Sequence, residues 1–227
     1  MRYAVLDWDN TIRNGYTLFS WIDFLVDRKI LSYSLKEKER LLGEKYDQGV
    51  ITHDQYADIA CEYYAQELIN RKISDIVNEV EGYMEIDRKS IFPFAEEIFS
   101  FLCEHNIKPI IISGAPRIIL EQYRERFSIY EIMAVEPQSN GSGYTGKLEF
   151  NYGHEKARTI KKLKEKYKEK PVIGFGDSLS DIPLLKESDY GCCVYDDTPK
   201  IELNNIFYIQ KNENSDKVRK KMRSLLK

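Results

Sequence analysis

The chain has 227 residues, 42% of them hydrophobic and 31% charged, with a formal net charge of −3. That is the composition of an ordinary soluble globular protein, long enough for one domain or for one domain carrying a large insertion. Basic stretches at residues 161–170 and 217–221 lack the interleaved aromatics of a nucleic-acid platform and read as solvated helix faces, so no nucleic-acid partner is expected.

Cys61, Cys103, Cys192 and Cys193 show neither a C-x-x-C spacing nor a disulfide framework, which fits a reducing compartment. No apolar run approaches the ~20 residues of a membrane span, and Met1-Arg2 leads directly into the first strand, leaving no room for a leader. A cytoplasmic protein without a membrane partner is expected.

The first element is a short apolar strand, Tyr3-Ala4-Val5-Leu6, running straight into Asp7-Trp8-Asp9-Asn10-Thr11. Residues 15–88 lack strand signals and carry apolar residues at helical spacing: Phe19, Ile22 and Val26, then Leu41, Leu42 and Tyr46, then Tyr56, Ile59, Tyr63 and Tyr64. They predict three or four helices, two of them capped by Thr52 and Ser74.

From Phe92 the pattern changes to alternating helices and strands, the rhythm of a parallel sheet. A helix face at Phe94, Ala95, Ile98, Phe99 and Leu102 precedes a buried strand at residues 107–112 and a helix opened by Pro116. A strand near 131–135 follows, then a glycine-rich turn into residues 144–150 and a helix after His154. Strands near 172–175, 190–194 and 206–209 and a short helix near 181–186 lead to a C-terminal helix that turns Val218, Met222 and Leu226 inward.

Three of these strands end in chemically loaded residues: Leu6 into Asp7, Ile112 into Ser113-Gly114, and Phe175-Gly176 into Asp177. Ligands of an open parallel sheet bind beyond the carboxyl ends of its strands, so the three groups are expected in one crevice. Asp7, Asp9 and Asp177, with Asp181 close by, repel one another unless a divalent cation sits between them. Ser113 and Gly114 feed a helix start whose N–H groups suit phosphate oxygens. Lys156 stands in the first turn of a helix, against the dipole, and therefore calls for an anionic partner.

The motifs Asp7-Trp8-Asp9-Asn10-Thr11, Ser113-Gly114, Lys156 and Gly176-Asp177 with Asp181 resemble, in this order, those of the haloacid dehalogenase (HAD) superfamily, and within it the branch that looks like phosphoserine phosphatase. The resemblance implies an α/β fold: a doubly wound parallel-sheet, Rossmann-like core of residues 1–14 and 89–227, with an all-helical cap inserted at 15–88. It implies Asp7 as the nucleophile toward phosphorus and Asp9 as general acid and then base. Mg2+ would be held by Asp7, the Asp9 backbone carbonyl and Asp177, with Asp181 in support. Thr11, Ser113, the Gly114 N–H and Lys156 would surround the phosphoryl oxygens. The cap is expected to swing on exposed hinges at residues 13–15 and 87–89.

The substrate expected is a small phosphorylated metabolite. Phosphoserine phosphatases usually carry an acid shortly after the first motif, and that place falls on Tyr16 here. Tyr16 is thus a candidate specificity residue, and with Phe19, Trp21 and Phe24 forms either an aromatic box for a quaternary amine or an ordinary helix core. A phosphotransferase passing the phosphoryl group to an acceptor alcohol, and a non-catalytic phosphate sensor, stay open as alternatives. Oligomeric state is not legible.

Overall fold

The computed structural model describes residues 1–141, 143–153, 155–199 and 201–225. Leu226 and His154 lie outside them. The sheet has the order β4-β3-β2-β1-β5-β6-β7, built from β1 (Tyr3–Leu6), β2 (Lys108–Pro116), β3 (Glu131–Ser139), β4 (Tyr144–Phe150), β5 (Ile173–Gly176), β6 (Tyr190–Tyr195) and β7 (Ile206–Gln210). All neighbours pair parallel except β3 and β4. The antiparallel β4 departs from the expected rhythm because a tight turn, not a crossover helix, joins it to β3.

β1 is the central strand, buried along its whole length. Its alternate side chains serve two layers, as the twofold period of a strand requires. Tyr3 and Val5 pack with Ile160 and Leu163 of α8 (Lys156–Tyr167) and Leu184 of α9 (Ile182–Lys186). Ala4 and Leu6 belong to a second cluster with Ile98 and Leu102 of α6 (Ala95–Glu104) and Val218 and Met222 of α10 (Ser215–Leu225). Helices on both faces make this a doubly wound α/β sheet, and the connection order reverses on either side of β1.

Between β1 and α6 lie five helices, not three or four: α1 (Thr17–Asp27), α2 (Ser34–Asp47), α3 (His53–Glu67), α4 (Ile73–Val77) and α5 (Val80–Asp87). α1 turns Leu18, Trp21, Ile22, Leu25 and Val26 inward, the spacing of a helix with one apolar face. Thr52 caps α3 through a reciprocal capping box with Gln55, as expected. Ser74 does not cap: α4 starts one residue earlier, and the Ser74 hydroxyl turns to Asp75.

At the two chain crossings of the insertion Arg13 and Asp87 are buried, while Asn14, Arg88 and Lys89 are exposed. Arg13 Nε lies 2.9 Å from Asp87 Oδ1, and Asp87 also accepts from Tyr83 (2.9 Å) and Tyr123 (2.7 Å). Two charges that satisfy each other and two phenols are withdrawn from water at tolerable cost, which an isolated Arg or Asp is not. A further attachment sits on β4, where the Asn70 N–H donates to the Tyr144 carbonyl and the Tyr144 N–H to the Arg71 carbonyl, both at 3.1 Å.

Candidate active site

The end of β1 sets the first half of the site. The Asp7 N–H donates to the Phe175 carbonyl at 3.0 Å, so the turns after β1 and β5 leave the sheet side by side. Trp8 points the other way, fully buried against Tyr123 at 4.9 Å between ring centroids. Asn10 then adopts a left-handed φ of 60°, which Asn tolerates and most residues resist, and this folds the chain back over the strand end. The Asp9 carboxylate turns toward the start of α1, where Oδ1 accepts from the Thr17 N–H at 3.0 Å and from the Thr17 hydroxyl. Thr17 was invisible in the sequence: nothing marks a threonine eight residues on as the partner of Asp9.

The second half comes from α8 and the turn after β5. Lys156, only 5% exposed, places Nζ 3.0 Å from Asp7 Oδ1 and 2.5 Å from Asp181 Oδ1. Asp181 Oδ2 accepts from the Asp177 N–H (3.1 Å), the Ser178 N–H (3.0 Å) and the Ser178 hydroxyl (2.9 Å). One carboxylate thereby holds the turn and the lysine together. Gly176 is required for this: a Cβ there would stand 2.3 Å from the Asp181 Cβ.

Ser113 and Gly114 reach the cleft from an irregular stretch of β2, not from a helix start. The helix expected after Pro116 is α7 (Arg117–Leu120), one turn that begins beyond both residues. Gly153 comes close to Gly114, and a Cβ on Gly153 would lie 3.0 Å from the Gly114 Cα. Thr11 is fully buried and absent from the cleft wall; its hydroxyl donates to Asp177 Oδ1 at 3.3 Å, so it steadies a carboxylate instead of facing a ligand.

Oxygens of Asp7, Asp177 and Asp181 lie within 4.8 Å of one another. The carboxylate of Asp9 is not in this group, because Thr17 draws it aside; this departs from the three-carboxylate convergence read from the strand ends and agrees with the resemblance, which gives the metal only the Asp9 backbone carbonyl. Burial, reinforced by Asp181 and Asp177 and opposed by Lys156, raises the Asp7 carboxyl well above its ordinary range. Burial and then Asp181 push Asp177 up to about 7. Burial works against the Lys156 charge, but Asp181 and Asp7 outweigh it and hold the ammonium protonated. Burial raises Asp9 to about 6 against the pull of the Thr17 hydrogen bond and of Arg13. Three close carboxylates facing one lysine leave negative charge uncompensated, and an all-oxygen donor set of this kind suits a hard divalent cation.

These groups open on a cleft of about 800 Å³, part of it open solvent. Asp7, Asp9, Ser113, Gly114, Lys156 and Asp177 line its floor. Tyr16, Phe19, His53, Asp54, Tyr56 and Ala57, all from residues 15–88, line another wall. Tyr16 is at the mouth, 53% exposed. Trp21 and Phe24 stack on each other away from the cleft, with Trp21 donating to the Tyr64 hydroxyl at 2.9 Å, so the four aromatics do not form one box. Tyr56 thus lines the cleft, as does Asn151, whose side chain donates to Asp58 at 2.9 Å. No local motif marks either.

Residues 4–186 match the family model described as haloacid dehalogenase-like hydrolase. No curated protein matches the chain. Among solved structures the fold is similar to that of a protein of unknown function from Bordetella pertussis Tohama I, at 18% identity and a TM-score of 0.70, covering 85% of this chain and 89% of that one. It is also similar to a phosphoserine phosphatase solved as a phospho-aspartyl intermediate analogue, at 14% identity and a TM-score of 0.64, covering 97% and 99% of the two chains. A probable phosphoserine phosphatase from Vibrio cholerae is similar at 15% identity and a TM-score of 0.66, covering 98% of this chain and 64% of that one. Since the family match takes in the turns after β1, β2 and β5 together with Lys156, the chain belongs to the haloacid dehalogenase-like hydrolases and shares the fold of phosphoserine phosphatases.

Proposed function

We propose that the protein is a phosphatase of small phosphomonoesters that works through an aspartyl phosphate on Asp7. The observation that carries this reading is the meeting of Asp7 with Lys156 at 3.0 Å, on the floor of a cleft that also presents Asp9, Ser113 and Gly114. An Asp7 oxygen attacks phosphorus and the bond to the alcohol oxygen breaks, with the Asp9 proton passing to that oxygen. Asp9, now a carboxylate, takes a proton from water; the water oxygen attacks phosphorus, and phosphate leaves Asp7. Thr17 occupies Asp9 Oδ1, leaving Oδ2 to carry the proton. Lys156, Ser113 and the Gly114 N–H would balance the charge spread over the phosphoryl oxygens.

Asp7 and Asp177, with the Asp9 backbone carbonyl and Asp181 beside them, would hold Mg2+. The ion would keep Asp7 ionised and neutralise phosphoryl charge. Activity is expected to vanish with excess chelator and return with Mg2+, while Ca2+, which prefers more ligands and looser geometry, substitutes poorly. Release of phosphate from p-nitrophenyl phosphate checks this, and full turnover in chelator contradicts it. Residues 15–88 act as a lid over the cleft, hinged where the Arg13–Asp87 pair joins the crossings and latched at Tyr144. The four free cysteines support a cytoplasmic setting.

A further inference from the structure

The wall that residues 15–88 contribute to the cleft has its own chemistry. Tyr16 meets Phe19 edge-on at 6.0 Å between centroids, and Phe19 meets Tyr56 at 5.6 Å, so three rings run along it without a break. Among the described residues that line the cleft, the only lysine or arginine is Lys156, already held by Asp7 and Asp181. The wall's one carboxylate is Asp54, and its one other titratable nitrogen belongs to His53, 3.8 Å from Asp54.

The ground behind the wall is also acidic. Glu39 stands close enough to Tyr56 to raise its phenol, and its Oε1 is buried with no hydrogen-bond partner. Residues 15–88 as a whole carry fifteen acids against nine bases. An anionic group on the leaving alcohol, such as the carboxylate of a phosphorylated amino acid, would meet ring faces and acids there with no lysine or arginine among the described residues of that wall to pair with, and would be penalised for losing water. A cation meets the negative faces of the rings and the acidic field behind them, and gains on both counts.

We infer that the leaving alcohol bears an alkylated ammonium, seated against Tyr16, Phe19 and Tyr56 with Asp54 at its edge, so that the substrate is the phosphate monoester of a small cationic amino alcohol. This rests on the phosphatase reading above and adds the substrate class to it. The wall fixes the cation, and the floor fixes the phosphate.

The test compares kcat/KM of the Mg2+-loaded protein for phosphocholine, for its neutral isostere with carbon in place of the ammonium nitrogen, and for O-phosphoserine, with p-nitrophenyl phosphate as a control for chemistry. Phosphocholine is expected to exceed the neutral isostere by roughly 2- to 30-fold, the range of a cation over aromatic rings from exposed to desolvated sites, and O-phosphoserine to rank last. Tyr56→Leu and Asp54→Asn are expected to shrink the ratio of charged to neutral ester. Equal or better turnover of the neutral isostere, or a preference for O-phosphoserine, overturns the inference while leaving a phosphatase. Absence of turnover on every ester, p-nitrophenyl phosphate included, overturns the phosphatase reading itself.

Discussion

Asp9 shows how much a single residue type says and how much it leaves to the fold. Its place two residues beyond Asp7 was legible, because carboxylates so spaced at a strand end enter one crevice. What holds it there was not: the Thr17 N–H and hydroxyl take Asp9 Oδ1 and keep the side chain out of the cluster of Asp7, Asp177 and Asp181. Thr11 misled in the opposite way, since a hydroxyl in the motif turned out to serve Asp177. Gly176 and Asp181 were legible as a pair but not for their reason, which is a contact too close for any Cβ. If Asp9 is the proton donor, Asp9→Asn slows an alkyl phosphate by about 10²- to 10⁴-fold, the usual share of general acid catalysis. An aryl ester with a good leaving group needs less help, so p-nitrophenyl phosphate should lose much less in the first step. Rapid-quench measurement of that step on both esters decides it: equal losses would remove Asp9 from the role.

At the scale of elements, the strands of the sheet were readable because their apolar runs are short and bounded, whereas α4 and α5 ran together in the sequence for want of a proline or glycine between them. The latch on β4 could not be read at all. It joins Asn70 and Arg71 to Tyr144 across more than seventy residues and depends on main-chain groups, which carry no side-chain signal. Its glycines explain themselves only in space. A Cβ on Gly143 would lie 2.7 Å from the Arg71 carbonyl, and Gly146, at φ 81°, would bring one to 3.3 Å from the Ile69 side chain. Gly146→Ala must therefore strain the backbone by roughly 1–2 kcal/mol and press on the end of the insertion. Faster hydrogen exchange at the Asn70 and Tyr144 amides is expected, with a raised KM, because the lid then closes less often. Unchanged exchange at both amides would show that β4 does not restrain the insertion.

For the molecule as a whole, the parallel sheet and its crevice followed from the alternation of helices and strands, the doubly wound form from the family resemblance, and the acid balance of residues 15–88 was countable before any coordinates. What counting could not show is that Glu39, one of those acids, is half-buried. Burial, and then Asp23, raise Glu39 to about 7 from an ordinary 4.5. A carboxyl raised on folding favours the protonated native state, so its contribution is complete below about 4.5 and is lost as the pH climbs through about 7. Allowing for solvent screening of a partly exposed group, the loss is on the order of 1 kcal/mol. Glu39→Gln should accordingly flatten the decline in stability between mildly acidic and mildly alkaline pH, as read from denaturant unfolding. A decline as steep as in the parent chain would mean that Glu39 is already ionised in the fold.

On the proposed reaction, phosphorus passes through Asp7. Intact-mass analysis of the Mg2+-loaded protein, acid-quenched during turnover of a phosphomonoester and followed by peptide mapping, tests it most directly. A phosphoryl-sized mass increase confined to the peptide that contains Asp7 is expected, absent in Asp7→Asn along with turnover. Steady release of phosphate with no such adduct, and continued release by Asp7→Asn, would contradict it.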